Sequence, residues 1–274
     1  MRLGLEAGAD THAAALELGI KGVPINAADL AADGVEATLA PLRAKGLEVC
    51  QIGAFGYNPL SDDGAALERQ TALMERVLPL AAQTGCRYVV ICGGNHHPSG
   101  FGAWDARNGT DAALDRIVTA LNPLVSLAAA HGARISIEPY LKTAINGPAA
   151  FQRLRARMDH GEALVANLDV TSHYDFRDFT NPAPRCKEVC EGYAGAYGLG
   201  HVKDIGLNDG FHLNMGLAPL GSSPTDWAQV LRMMAPHMPD DSWLILEHVG
   251  GIEEARTSVA LLRACAHRAG VTLT

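Results

Sequence analysis

The sequence has no Cys-x-x-Cys pair, no Gly-x-Gly-x-x-Gly run, no phosphate loop and no cluster of basic residues. Each absence excludes something. Without the glycine-rich turns after a first strand, a doubly wound nucleotide-binding sheet loses its usual signature. Without paired cysteine spacings, a zinc knuckle is not expected. Of the six cysteines, Cys50 and Cys92 sit in apolar runs, where a thiol behaves as a small hydrophobe. Cys186 and Cys190 lie one helical turn apart, but zinc would need two further soft ligands. The set reads as reduced thiols. A formal charge of −8 repels phosphate backbones, so nucleic acid is not an expected partner. No stretch approaches the ~18 uninterrupted apolar residues of a membrane span, so no membrane partner is expected. The opening residues MRLGLEAGAD lead into a strand pattern rather than a signal peptide's apolar core, and the expected compartment is the cytoplasm. No Pro/Ser-rich linker, charge block or low-complexity tract interrupts the chain, so residues 1–274 are expected to form a single domain.

What is present is alternation. Short apolar runs recur near residues 2–6, 20–25, 47–53, 87–93, 133–138, 164–169, 198–203 and 243–248. Between them lie amphipathic stretches at 11–19, 35–45, 65–84, 111–131, 148–158, 184–194, 225–235 and 252–268. Residues 111–131, for example, put Leu114, Ile117, Val118, Leu121, Leu124 and Val125 on one face. Several helices end in glycine with a strand following, as at Lys45-Gly46, Thr84-Gly85 and His131-Gly132. Eight strands alternating with eight helices at this length is the count of an α/β protein built as one (β/α)₈ TIM barrel.

A barrel's chemistry sits at the C-terminal ends of its strands. The fifth strand, ARISIEPY, reaches Glu138, and the sixth, ALVANLDVTSH, reaches Asp169. The seventh, GLGHVKD, carries His201, and the eighth, SWLILEHVG, carries Glu247. Strand alternation puts Ile135 and Ile137 outward and Ser136 and Glu138 inward. It likewise pairs Asn167 with Asp169, His201 with Lys203, and Ile245 with Glu247. A single acid at a strand end is more often a helix cap or an ion-pair partner than a ligand. Four on consecutive strands are harder to explain that way. Three converging carboxylates repel unless a cation sits among them. With one imidazole they suit Mn²⁺, Mg²⁺ or Co²⁺ better than a closed structural zinc site, and Mn²⁺ is the expected ion.

These segments resemble the sugar phosphate isomerase/epimerase superfamily, the xylose-isomerase-like barrels that include ketose 3-epimerases, hydroxypyruvate isomerase and inosose dehydratase. The likeness is clearest in Ile137-Glu138-Pro139, Asn167-Leu168-Asp169, His201-Val202-Lys203-Asp204, Pro219-Leu220-Gly221 with Asp226-Trp227, and Leu246-Glu247-His248. It implies a metal site at Glu138, Asp169, His201 and Glu247, with the two glutamates doubling as an acid/base pair. The surrounding shell departs from a ketose epimerase. Ala144 stands where such enzymes carry a second glutamate, and Leu207 where they carry an arginine. Ser172 holds the place of their substrate histidine, with His173 one residue later.

The expected activity is therefore proton abstraction beside a carbonyl through a metal-bound enediolate, in a sugar isomerase or epimerase. A lyase that cleaves 3-oxo-glycosides, including C-glycosides, is the alternative. An endonuclease IV-like phosphodiesterase needs more histidines at strand ends and a basic groove, and a non-catalytic sugar-binding barrel leaves the converging carboxylates without a purpose. His97, in Gly93-Gly94-Asn95-His96-His97-Pro98, is a substrate-binding candidate with His173 and Lys203. For His97 a solvent-exposed loop position serves as well, and for Lys203 an ion pair with a nearby acid. Lys142 and Arg107 are looser candidates, and Glu6 either faces the pocket or pairs with Lys203. The expected small-molecule partner is an unphosphorylated sugar or oxidised glycoside. A homo-oligomer or an accessory subunit is left open.

Overall fold

Strands and helices alternate around a closed barrel in a computed structural model that describes residues 1–274. In chain order the strands are β1 (Arg2–Leu5), β2 (Gly22–Asn26), β3 (Glu48–Gly53), β4 (Tyr88–Cys92), β5 (Arg134–Glu138), β6 (Leu164–Leu168), β7 (Tyr197–Val202), β8 (Asp204–Leu207), β9 (Met215–Ala218) and β10 (Trp243–Leu246). The barrel order is β1-β10-β7-β6-β5-β4-β3-β2, with every neighbouring pair parallel. Thus β10 is the eighth barrel strand, and β1 closes the ring by pairing both β10 and β2. The remaining two strands form an antiparallel hairpin, β8–β9, rooted directly after β7.

The helices are α1 (Thr11–Glu17), α2 (Ala27–Arg43), α3 (Gly64–Ala81), α4 (Asp111–Ala130), α5 (Pro148–Arg155), α6 (Ala183–Gly192), α7 (Trp227–Met234) and α8 (Ile252–Ala269). Side-chain caps start several of them: Asn26, Asp63, Thr110 and Asp226 each accept from a backbone N–H in the first turn. α4 is as long and as apolar as a membrane span by composition. Its stripe of Leu114, Ile117, Leu121, Leu124, Val125 and Ala128 is buried, as a core-facing helix requires.

Two differences from the sequence pattern stand out. α2 begins at Ala27, not near residue 35, and is broken in the middle at Gly34 (φ 79°, ψ 171°). That left-handed glycine interrupts the helical period, so only the second half announces itself. The β8–β9 hairpin was also not expected. Its strands are short and largely exposed, and neither face carries a buried apolar row.

Small residues at the base of the barrel make room for one large one. A Cβ on Gly22 would lie 2.5 Å from the Trp243 ring, so only glycine at that position lets the indole fill the base. Arg2 stacks 3.7 Å from the same ring and ion-pairs with Glu48, closing the end opposite the site.

Candidate active site

Four barrel strands deliver polar residues to one mouth. β5 ends on Glu138, and Asp169 follows the last residue of β6. β7 carries His201 and is followed by Lys203, while Glu247 follows β10 directly. Ile245 pairs with His201 and Leu246 with Val202, so Lys203 and Glu247 emerge side by side.

Lys203 is the hub of this cluster. Its Nζ ion-pairs with Asp169 and with Glu247 and lies 3.2 Å from Glu138 Oε1. His201 sits beneath it, fully buried. Its Nδ1 is 2.8 Å from Glu247 Oε2 and 3.7 Å from Glu138 Oε2, and its Nε2 is 2.8 Å from Gln51 Oε1 on β3. The Asn167 amide lies against the same ring, with Nδ2 3.0 Å from Nε2. Interior positions on β3, β6 and β7 therefore converge, as strand alternation requires.

Asp169 is held differently from the glutamates. Its Oδ1 accepts from Thr171 N at 3.0 Å, Thr171 Oγ1 at 2.9 Å and Ser172 N at 3.2 Å. Its Oδ2 accepts from Ser172 Oγ at 2.8 Å and faces Lys203. It thus orders the turn Thr171–His173 as well as the lysine.

Burial opposes every charge here, and the opposite charges overcome it. Burial raises the carboxyl groups of Glu138, Asp169 and Glu247, yet Lys203 and His201 hold all three below the usual range. Burial lowers the Lys203 ammonium, yet Asp169, Glu247 and Glu138 hold it well above the usual lysine range. His201 is likewise lowered by burial but pushed up to about 10 by Glu247 and Glu138, so it is an imidazolium at neutral pH.

Glu138, His201 and Glu247 bring ligand atoms within 4.8 Å of one another, a group that could hold a metal ion. Two carboxylates and an imidazole are donors that suit a hard or borderline divalent cation. Asp169 stands outside that group, its oxygens turned to Thr171, Ser172 and Lys203.

Above the cluster opens a cavity of about 870 Å³. Its floor is Glu138, Lys203, Glu247 and Cys92. Half of its 22 lining residues are hydrophobic, among them Phe55, Phe101, Tyr140 and Phe176. The hairpin supplies a further wall through Leu213, Met215 and Leu217.

The family model described as xylose isomerase-like TIM barrel matches residues 12–265. The chain belongs to that family. Solved structures of similar fold include 3-keto-D-glucoside 4-epimerase from E. coli in its apo form, at 18% identity, TM-score 0.71, covering 97% of this chain and 100% of that one. A D-tagatose 3-epimerase-like protein matches at 15% identity and TM-score 0.73, covering 98% of each chain. A xylose isomerase-like TIM barrel protein from Mycobacterium smegmatis, solved in complex with magnesium, matches at 18% identity and TM-score 0.69, covering 94% of this chain and 87% of that one. At such identities the likeness establishes the fold. No curated protein matches the sequence.

Within this family member, the substrate-binding candidates separate. Lys203 lines the cavity, but His97 and His173 do not. His97 is turned into its own loop, where Nδ1 accepts from Ser99 N at 3.1 Å and the backbone N–H is tied to Asn95. His173 is packed against Tyr193, near Asn146 O, and burial lowers its pKa to about 4. Ser172, its neighbour, lines the cavity instead. Lys142 and Glu6 reach the cavity, and Glu6 makes no ion pair with Lys203. Arg107 is spent on Asp105 and Asp62 away from it.

Other lining residues left weak traces in the sequence. Phe55 and Tyr140 follow the third and fifth strands at the functional end, a position that could have flagged them. Gln51 has no local signal, since its role is to meet His201 across the barrel. His248, next to Glu247, lines the cavity with φ 56°, a left-handed conformation uncommon for a non-glycine residue.

Proposed function

We propose that the chain isomerises or epimerises a sugar by moving the proton on a carbon beside a carbonyl, with Glu138 and Glu247 as the acid/base pair. The observation that carries this reading is the placement of those two carboxylates, on non-adjacent strands, around one cationic centre at the floor of a large cavity. Both are held ionised at neutral pH, the form a general base needs. One carboxylate removes the proton; the other, also ionised at rest, takes a proton from solvent and delivers it to carbon, after which the first releases its own to solvent. Delivery to the opposite face of the same carbon epimerises it, and delivery to the neighbouring carbon isomerises the sugar. A cation at this floor would polarise the carbonyl and steady the charge that develops on its oxygen: the Lys203 ammonium or, in its place and with His201 deprotonated, a divalent ion (Mn²⁺ before Mg²⁺ or Co²⁺) held by Glu138, His201 and Glu247. The similar folds of proteins named as epimerases support the same class.

The substrate is an unphosphorylated sugar or its oxidised glycoside. No arginine lines the cavity, and its lysines are engaged, Lys142 by Gly102 O and Lys203 by the carboxylates. A second reading, elimination from a 3-oxo-glycoside, is favoured by the apolar wall of Leu213, Met215 and Leu217. A sugar alone does not need that wall, whereas an apolar aglycone would pack on it.

The test is incubation in D₂O with free ketoses, inososes and 3-oxo-glycosides, with products read by mass spectrometry. Deuterium in an isomer supports the first reading, and release of an aglycone supports the second. No exchange and no cleavage with any of them removes both.

A further inference from the structure

The space between Glu138, Asp169 and Glu247 is already filled by a cation. Lys203 Nζ contacts all three carboxylates, and its side chain is only 9% exposed. An ammonium carries three N–H donors, and three carboxylates surround this one. The arrangement is braced from outside. Thr171 Oγ1 lies 2.9 Å from Asp169 Oδ1 and 3.0 Å from the Lys203 backbone oxygen, so its single proton serves one of these acceptors at a time while the hydroxyl sits between the lysine's strand end and its partner carboxylate. Parallel pairing of β7 with β10 then sets Glu247 beside it.

The imidazole beneath is no free ligand either. One ring nitrogen meets Glu247, and the other meets Gln51 Oε1 at 2.8 Å. A divalent ion bound by all four strand-end residues would have to share its carboxylates with the ammonium, because Asp169 has no unengaged oxygen.

We propose that Lys203 is the resident cation of this site, its ammonium occupying the position among Glu138, Asp169 and Glu247 that a divalent metal would need, so that lysine and metal exclude each other. The lysine lines the cavity floor, so a carbonyl oxygen reaching that floor meets an ammonium. On the proton-transfer reading above, on which this consequence rests, that charge stabilises the oxygen as the neighbouring carbon loses its proton.

The probe is Mn²⁺ itself, titrated into the purified full-length chain, with free Mn²⁺ followed by its electron paramagnetic resonance signal. Wild type, Lys203→Gln and Lys203→Arg are compared, with circular dichroism to confirm folding. Wild type and Lys203→Arg are expected to bind weakly and to lose the ion on dialysis. Lys203→Gln is expected to take up one ion per chain at least about tenfold more tightly, or about 1.4 kcal/mol. Stoichiometric Mn²⁺ on wild type, retained through dialysis, overturns the proposal without any variant. So does a folded Lys203→Gln that gains no affinity. Neither result touches the proton-transfer reading, which deuterium exchange tests separately.

Discussion

Two clusters of opposite charge in this molecule use similar groups in contrasting settings. In the barrel mouth, Lys203 and His201 face three carboxylates whose side chains are between 0% and 14% exposed. On the outer loops, Arg107 and Arg116 share Asp62, which is 57% exposed. The Asp62 carboxyl is held low by hydrogen bonds from the two arginines, and burial opposes them little. At Glu247 burial is the largest influence and is overcome only by neighbouring charge. The lesson is that similar ion pairs do unlike work. Outside, water can replace a lost partner; inside, it cannot, and a lost partner leaves a bare charge.

The comparison can be pressed hardest at Glu247. Replacing it by Gln keeps the shape but removes the acid/base function, and kcat for deuterium exchange should fall by about 10²- to 10⁴-fold. Retained exchange would take Glu247 out of that role. Lys203→Met comes next. In metal-free buffer it leaves Asp169 without a cation and the two glutamates with His201 alone, and urea denaturation should show a loss of about 3–5 kcal/mol. A midpoint unchanged from wild type would mean that the cluster is solvated after all.

The pH dependence of stability tests the same contrast more gently. His201 is raised from 6.5 to about 10, so its contribution is full below about pH 6.5 and fades as pH rises through about 10. Glu247 is lowered from 4.5 to about 2, so its contribution is full above about pH 4.5 and fades as pH falls through about 2. Melting temperature of the metal-free protein should therefore be highest between those limits and decline on either side. A curve that stays level from pH 6.5 to 10 would argue against a buried imidazolium. The smallest effect belongs to the surface. Arg107→Gln should leave both the melting temperature and the exchange rate unresolved from wild type, and a clear drop would show that the loop network reaches the site.

Much of this architecture could be read from local pattern. Period-two alternation in the fifth to eighth barrel strands was enough to turn Glu138, Asp169, His201, Lys203 and Glu247 toward one another. Helix ends were legible where a glycine marked them, as at Gly46, Gly85 and Gly132, all of which take positive φ. The first half of α2 was hidden behind Gly34, and the β8–β9 hairpin behind its lack of a buried face. His97 and His173 were credible as loop histidines near the right end of the barrel. His97 is turned by Asn95 and Ser99, its close neighbours in the same loop, whereas the orientation of His173 depends on Tyr193, which nothing in its own neighbourhood reveals.

The sequence by itself determined the fold class and the end of the barrel where charged groups gather, because these follow from periodicities of two and 3.6 residues, while the family followed from the resemblance of segments such as Ile137-Glu138-Pro139 and His201-Val202-Lys203-Asp204. Only the tertiary structure decided how those groups share one another. That Asp169 turns to Thr171 and Ser172, that Gln51 meets His201 from across the barrel, and that Lys203 rather than an open gap stands among the carboxylates are all distances between strands. Such distances arise from barrel register and closure, which no single segment of the chain encodes.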